Sequence, residues 1–344
     1  MIIKKIQLKN YTVFDNQTME FGPGINVLIG ENGTGKTHVM KALYSACQSI
    51  ERKISFPQKL VATMLPDDYM LSRLVTRKAG NRRASVHIWA GDNGAQSEKK
   101  LSATFHGKTK KWDAQVTGEA GWETAFPGTS SVFIPAKEIL SHSCNLNAAA
   151  EKNNVRFDDT YLDIINAAKV DISVGRNSTD KDTILKRIET IIGGTVFYDV
   201  NRDEFYLRAG NSKQEFNLVA EGIRKMALLW QLVKNGTLVK GSIFFWDEPE
   251  ANIHPRCIPI IVTLLLELQA RGVQIFISTH DYMMASYFDV KKAQFEKSSV
   301  LYHSLSRGGS DDELHYSTSP KFGDLKNNEI ISAYNSLLDE IYEL

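Results

Sequence analysis

Apolar and polar residues alternate at the start of the chain. Ile6 and Leu8 fall between Lys5, Gln7 and Lys9, the period of a strand with one buried face. Thr18 to Phe21 can pair back after a polar turn at Asp15-Asn16, and Gly22-Pro23-Gly24 then interrupts the pattern. Ile25 to Ile29 is almost wholly apolar, as a strand buried on both faces requires. From Thr37 the period lengthens, with Val39, Met40, Leu43 and Ala46 at helical spacing. Alternating runs at Ala84 to Trp89 and Leu101 to Phe105 predict an antiparallel sheet, and Val132 to Ile134 predicts a short buried strand stopped by Pro135.

From 138 to 192 the spacing is helical. Tyr161, Ile164, Ile165 and Ala168 share one face, Ile184, Leu185, Ile188 and Ile191 another, and the polar stretch Asn177 to Asp182 separates them. Gly193-Gly194 ends the second helix, and Thr195 to Asp199 can pair with Glu204 to Arg208 across Val200 to Asp203. A helix over Met226 to Val233, a strand from Ser242 to Trp246, a helix over Ile258 to Leu268 and a strand from Val273 to Ile277 follow. Strands at Val300 to Leu305 and Leu314 to Ser317 flank the polar turn Arg307 to Glu313, and Ile330 to Tyr342 forms an amphipathic helix. Strands alternating with helices predict an α/β fold with a parallel sheet. No heptad array is sustained, so no long coiled-coil arm is expected.

Two loops carry chemistry. Gly30-Glu31-Asn32-Gly33-Thr34-Gly35-Lys36-Thr37 has three glycines, of which Gly30 and Gly35, with Lys36 and Thr37, stand at the spacing of a phosphate-binding loop, between a strand and a helix. Its backbone N–H groups, at a helix N-terminus, can surround phosphates. The candidate nucleotide contacts run from Glu31 through Asn32, Gly33, Thr34, Gly35, Lys36 and Thr37 to His38, with Lys36 reaching the β- and γ-phosphates and Thr37 a ligand of Mg²⁺. The bland alternative is a glycine-rich turn. The second loop ends the apolar run before Asp247-Glu248-Pro249. Neighbouring strand residues point opposite ways, so Asp247 can hold Mg²⁺ while Glu248 acts as general base on the attacking water. Two exposed turn acids would be the alternative. His280, at the end of the strand that closes with Ser278-Thr279, stands where open α/β sheets bind ligands and can donate to the γ-phosphate.

Composition narrows the context. Hydrophobic residues make up 42% and charged residues 24%, which is ordinary globular material. With 41 basic against 40 acidic residues, no global field favours nucleic acid or membrane. Locally the balance shifts, for ten basic residues face two acidic ones between Arg73 and Trp112, with Trp89 among them. That segment is either a phosphate-tracking nucleic-acid surface with stacking aromatics or a solvated face whose lysines protect sheet edges. Cys47, Cys144 and Cys257 lie far apart and in no metal-ligand spacing, which suits free thiols in a reducing compartment. With no leader-like segment and no apolar stretch near about 18 residues, the expectation is a cytoplasmic protein with no membrane partner.

In combination these motifs resemble the ABC-class ATPase heads of the RecF, SMC and OLD group. The resemblance implies an ABC-type P-loop ATPase head with an N-terminal antiparallel β subdomain and a short helical insertion. The head would comprise 1–135 and 219–344, with 51–132 β-rich and basic, and the insertion and hairpin would be 136–218. It implies ATP and Mg²⁺ as cofactors, and places Lys9 to Phe14 near the adenine. Ala220-Glu221-Gly222 matches the position of the signature motif, where a helix start clamps the γ-phosphate held by the other subunit; Ala220 stands where a serine is common, and an ordinary helix start is the alternative. Glu250, Ala251, Asn252, His254 and Pro255 match the loop that crosses the dimer interface, and Lys137 or Glu138 would take the place of a glutamine. The compact form is similar to the ATPase subunits of bacterial defence systems such as PARIS and Septu, which implies pairing with itself and a separately encoded effector. A RecF-like DNA-maintenance ATPase is the alternative. A transporter nucleotide-binding subunit is a third, disfavoured by the 210 residues separating Thr37 from Asp247.

Overall fold

The computed structural model describes residues 1–51, 54–78, 80, 82–92, 98–152, 155–170, 179–307 and 314–343. The chain opens with the antiparallel hairpin β1 (Ile2–Tyr11) and β2 (Phe14–Glu20), then β3 (Ile25–Gly30) and α1 (Lys36–Glu51). Next come α2 (Phe56–Met64), β4 (Arg83–Gly91), β5 (Lys99–His106), β6 (Gln115–Thr117), α3 (Glu119–Ala125) and β7 (Ser131–Ile134). The stretch 136–218 holds α4 (Leu146–Glu151), α5 (Asp159–Lys169), α6 (Thr179–Ile192), β8 (Thr195–Asp199), β9 (Glu204–Ala209) and β10 (Ser212–Glu215). The last third contains α7 (Glu221–Lys234), β11 (Ile243–Asp247), α8 (Ile258–Ala270), β12 (Gln274–Thr279), α9 (Tyr282–Lys292), β13 (Val300–Arg307), β14 (Leu314–Ser319) and α10 (Glu329–Tyr342).

A six-stranded sheet, ordered β14-β13-β3-β12-β11-β7, forms the centre and is parallel except for β14. Every residue of β3, β11 and β12 is buried, because both faces of this sheet are covered. Alternation splits the side chains between two cores. Phe133, Phe245 and Phe276, aligned across three strands, face α1 and the five-stranded antiparallel sheet β2-β1-β4-β5-β6. Phe244, Trp246, Ile275 and Ile277 face α7 and α8. Within 136–218, α5 and α6 bury Ile164, Ile165, Ile184 and Ile188 in the same core as α7 and α8. Lys59, fully buried on α2, is paired with Asp159 and Asp163, and the Tyr44 hydroxyl on α1 donates to Asp163 at 2.8 Å. A buried ammonium is tolerable only when paired, so this network ties α5 to the helix that follows the phosphate loop.

The structure departs from the sequence pattern in three places. The first hairpin turns at Thr12-Val13, where Tyr11 pairs with Phe14, and not at Asp15-Asn16. Burying Tyr11 and Phe14 outweighs the turn preference of the polar pair, and Asp15 instead meets Lys78 and Arg82. Helix α6 already starts at Thr179, inside the expected break Asn177 to Asp182; Asn177 and Ser178 lie outside the described residues, as do 308–313 of the Arg307 to Glu313 turn. The hairpin β8–β9 gains a third strand, β10, whose residues are all exposed and so carry no hydrophobic signal.

Candidate nucleotide-binding site

β3, β12 and β11 lie side by side, so the turns at their C-terminal ends share one edge of the sheet. Gly30 to Gly35 leaves β3 there and runs into α1. Gly35 has φ +95°, and a Cβ on it would stand 2.6 Å from the Phe14 ring and 2.7 Å from Val13, so the first hairpin fixes the loop from beneath. Glu31, Asn32 and Gly33 are exposed on the lip, while Thr34 is buried and donates to the Glu31 carbonyl at 2.9 Å. Lys36 folds back: its ammonium donates to the carbonyls of Gly30 at 2.7 Å and Glu31 at 2.9 Å. Burial lowers its proton affinity, and the nearby Asp247, Glu248, Glu250 and Glu31 oppose that shift.

Thr37 and Asp247 meet directly. The Thr37 hydroxyl lies 3.0 and 3.2 Å from the two carboxylate oxygens of Asp247, 210 positions later in the chain, and Ser278 donates to the same carboxylate from β12. His38 is half-buried, its Nδ1 has no hydrogen-bond partner, and burial pushes its pKa down to about 4. Of the expected adenine segment Lys9 to Phe14, only Thr12, Val13 and Phe14 line a cavity of about 460 Å³, together with Lys78 and Arg307, and no residue of the phosphate loop lines it.

The adjacent carboxylates separate where β11 ends. Asp247 is buried, whereas Glu248 turns away at φ +48°, a backbone conformation costly for a residue with a side chain. Glu248 N–H donates to the Ser278 carbonyl at 3.1 Å, and its carboxylate stands 3.8 Å from His280 Nε2. Both side chains are partly exposed at the edge of the site.

The start of α7 is placed differently. Ala220 caps it with no side-chain hydrogen bond, and among the described residues none joins 220–222 to 30–38. A Cβ on Gly222 would stand 2.6 Å from the Asn252 carbonyl oxygen, so this helix start presses on the loop 250–253 of its own chain. Two further residues complete the contact: Glu250, which the resemblance places in the interface loop, and Lys225, which no motif singled out. Lys225, 1% exposed, donates to the Ala251 carbonyl at 2.8 Å. Glu250 accepts from the Thr279 hydroxyl at 2.6 Å, its other oxygen is buried without a partner, and burial pushes its pKa up to about 7. The signal for Glu250 was a third acid in the run 247–250; for Lys225 it was a cation inside an apolar helix.

Glu138 does not face the loop. Its carboxylate, 1% exposed, accepts from Arg224 at 2.6 Å and from Ser141, which corrects the expectation that it could stand in for a nucleotide-contacting glutamine; Lys137 is exposed. The basic segment is also less uniform in space than in sequence. Arg73 pairs with Asp67, and Lys78 and Arg82 pair with Asp15. The ammonium groups of Lys5 and Lys100 lie 4.6 and 4.8 Å from the Trp89 ring centre, so that ring is already engaged.

Comparison with known proteins bears on the fold. Residues 1–81 match the family described as "AAA ATPase domain", and residues 146–283 match the one described as "AAA domain, putative AbiEii toxin, Type IV TA system". Among curated proteins, the chain is 26% identical over 88 residues to the DNA replication and repair protein RecF of Lachnoclostridium phytofermentans, 26% of this chain and 24% of that one. It is 48% identical over 44 residues to RecF of Limosilactobacillus fermentum, 13% of this chain and 12% of that one. The matched stretches thus span a quarter or less of these relatives. Solved structures match far more of the chain. An SMC head bound to the C-winged helix domain of ScpA superposes with a TM-score of 0.59 at 13% identity, covering 93% of this chain and 98% of that one. An SMC head with an extended coiled coil, bound to the C-terminal domain of ScpA derived from Pyrococcus furiosus, gives 0.54 at 12% identity over 99% of both chains. Among the described residues, no helix is long and apolar enough to cross a membrane.

Proposed function

We propose, from an ABC-class P-loop ATPase fold of the RecF and SMC group as premise, that this chain is an ATP-binding switch that hydrolyses ATP slowly and pairs head to head around it. The observation that carries the reading is the convergence of Lys36, Thr37 and Asp247. A lysine resting on its own loop carbonyls can transfer its ammonium to phosphate oxygens when nucleotide enters. Thr37 and Asp247 supply two hard oxygen donors about one hydrogen bond apart, which fits Mg²⁺, a cation that keeps several waters and shares phosphate oxygens. Bound there, the ion would neutralise charge on the β- and γ-phosphates.

The remaining roles belong to this chain's side chains. Glu248, exposed where Asp247 is buried, orients and deprotonates the attacking water. His280, at the same edge, donates to the γ-phosphate. The loop residues Glu31 to Lys36 wrap the phosphates, with His38 in the first turn of α1 behind them. Glu221 and Gly222 offer free helix-start N–H groups to the nucleotide of a facing copy. Lys36→Ala should remove ATP binding, and Glu248→Gln should keep binding while losing phosphate release; equal ATP affinity in wild type and Lys36→Ala would contradict the assignment.

What the switch controls has two readings. Similarity to a family described with a toxin and a type IV toxin–antitoxin system, together with the compact head, supports a defence ATPase acting with a separately encoded effector. Similarity to DNA replication and repair protein RecF supports DNA maintenance. Salt-dependent binding of duplex DNA by the purified protein would favour the second, and a stable complex with a co-encoded protein the first.

A further inference from the structure

Helix α10 is a strongly amphipathic element with most of its apolar side uncovered. Its first turn is fixed: Asn328 caps it, Ile330 and Ile331 pack on the core, and Tyr334 stacks on Tyr282 of α9 with ring centres 4.1 Å apart. Beyond that turn the same stripe continues into solvent, with Leu337 51%, Ile341 53% and Tyr342 84% exposed. Such a stripe is uncommon on a free surface, and its spacing is that of a helix laid in a groove. The charges of α10 have one sign: Glu329, Asp339 and Glu340, with Glu343 at its end and no basic residue between 329 and 343. Two such helices placed side by side would repel.

A groove of the opposite character lies on the antiparallel subdomain. About 420 Å³ in volume, it is lined by Pro57, Ala114, Val116 and Trp112, whose ring centre lies 5.6 Å from the Lys111 ammonium, and by Lys110 and Lys111 with Asp113 as the one acid of its lining. Lys108, on the turn before it, is exposed, and Trp112 is 39% exposed. α10 packs on α9 and β3, whereas none of its residues lines the groove of its own chain.

We propose that α10 of one copy seats Leu337, Ile341 and Tyr342 in the groove beside Trp112 of a second copy, with the acids of the helix facing Lys108, Lys110 and Lys111. The two surfaces differ, so the contact is heterologous and repeats from copy to copy, closing as a ring or running on as a chain. It needs no nucleotide and stands apart from head-to-head pairing. An anchor of three side chains makes it a weak contact, roughly micromolar, and sensitive to salt.

Sedimentation of the full chain without nucleotide tests it. At low salt the wild type should show mass above the monomer that declines as salt rises. Asp339→Lys/Glu340→Lys/Glu343→Lys, and separately Lys108→Glu/Lys110→Glu/Lys111→Glu, should each need roughly tenfold more protein to associate. Mixing the two variants should restore association, because each then meets an opposite charge. Leu337→Ser/Ile341→Ser changes exposed residues only and should weaken association equally without altering the folded spectrum. A wild type that stays monomeric at low salt, a mass that neither reversal changes, or a mixture that stays monomeric would overturn the proposal. So would a groove reversal that leaves mass unchanged while abolishing oligonucleotide binding, which would assign the rim to nucleic acid.

Discussion

On the phosphate-loop side, Lys36 is bonded to its own loop carbonyls, Thr37 and Ser278 both donate to Asp247, and the first hairpin packs under Gly35. On the α7 side, Ala220 makes no side-chain capping bond, Gly222 presses on Asn252, and Lys225 grips Ala251. One half is already organised within a single chain. The other is a helix start coupled to the loop that carries Glu248 and Glu250, with its free N–H groups unused by its own chain. On the proposed function, ATP would bind first to the loop half of a single copy, and the second half would act only when another copy supplies it.

The sharpest way to break this contrast is Lys36→Ala. It removes charge-assisted bonds to phosphate, and ATP affinity measured by calorimetry should fall by about 100-fold or more. Glu248→Gln separates binding from chemistry: phosphate release should drop by about 100-fold or more while the Kd for ATP stays within a few-fold. Lys225→Met probes the other half. It leaves the Ala251 carbonyl without its buried donor at a cost of about 1–3 kcal/mol, read as a lower Tm, and should slow turnover more than it weakens binding by a single copy. A substitution at Gly222 is less clean, because a Cβ there strikes the loop of the same chain before it meets a facing phosphate.

The smallest expected effect is in pH dependence. Burial raises the Glu250 carboxyl to about 7, so the folded chain holds this proton more tightly than the unfolded one, whose carboxyl titrates near 4.5. Its contribution to stability is therefore present below the unfolded value and is lost as pH rises through about 7. Glu250→Gln should flatten the decline of Tm with pH over that window; an unchanged slope would show that Glu250 is not the group responsible.

Periodicity made the central sheet legible because its strands are buried on both faces and leave continuous apolar runs, as at Ile25 to Ile29 and Ile243 to Trp246. The phosphate loop was legible because its glycines, lysine and threonine occur at fixed spacing between a strand and a helix. The exposed strand β10 was not, since Ser212 to Glu215 buries nothing, nor was the turn at Thr12-Val13, where the burial of Tyr11 and Phe14 decides against the turn-forming Asp15-Asn16. Glu138 lay where a loop could reach nucleotide, and only the structure shows its carboxylate committed to Arg224. Lys225 escaped notice, and Glu250 was placed only as part of an interface loop, for a related reason: their contacts join α7, the loop after β11 and the end of β12, which no local spacing encodes.

Sedimentation of Glu248→Gln with and without Mg-ATP tests most directly whether one chain carries only half of a working site. At about 0.5 M salt, where the charge-dependent α10 contact is screened, nucleotide trapped without turnover should shift the population from monomer to dimer, because ATP would bind the paired state more tightly. A mass distribution that Mg-ATP leaves unchanged, at concentrations where binding is saturated, would contradict the account and reduce Ala220 to Gly222 to an ordinary helix start.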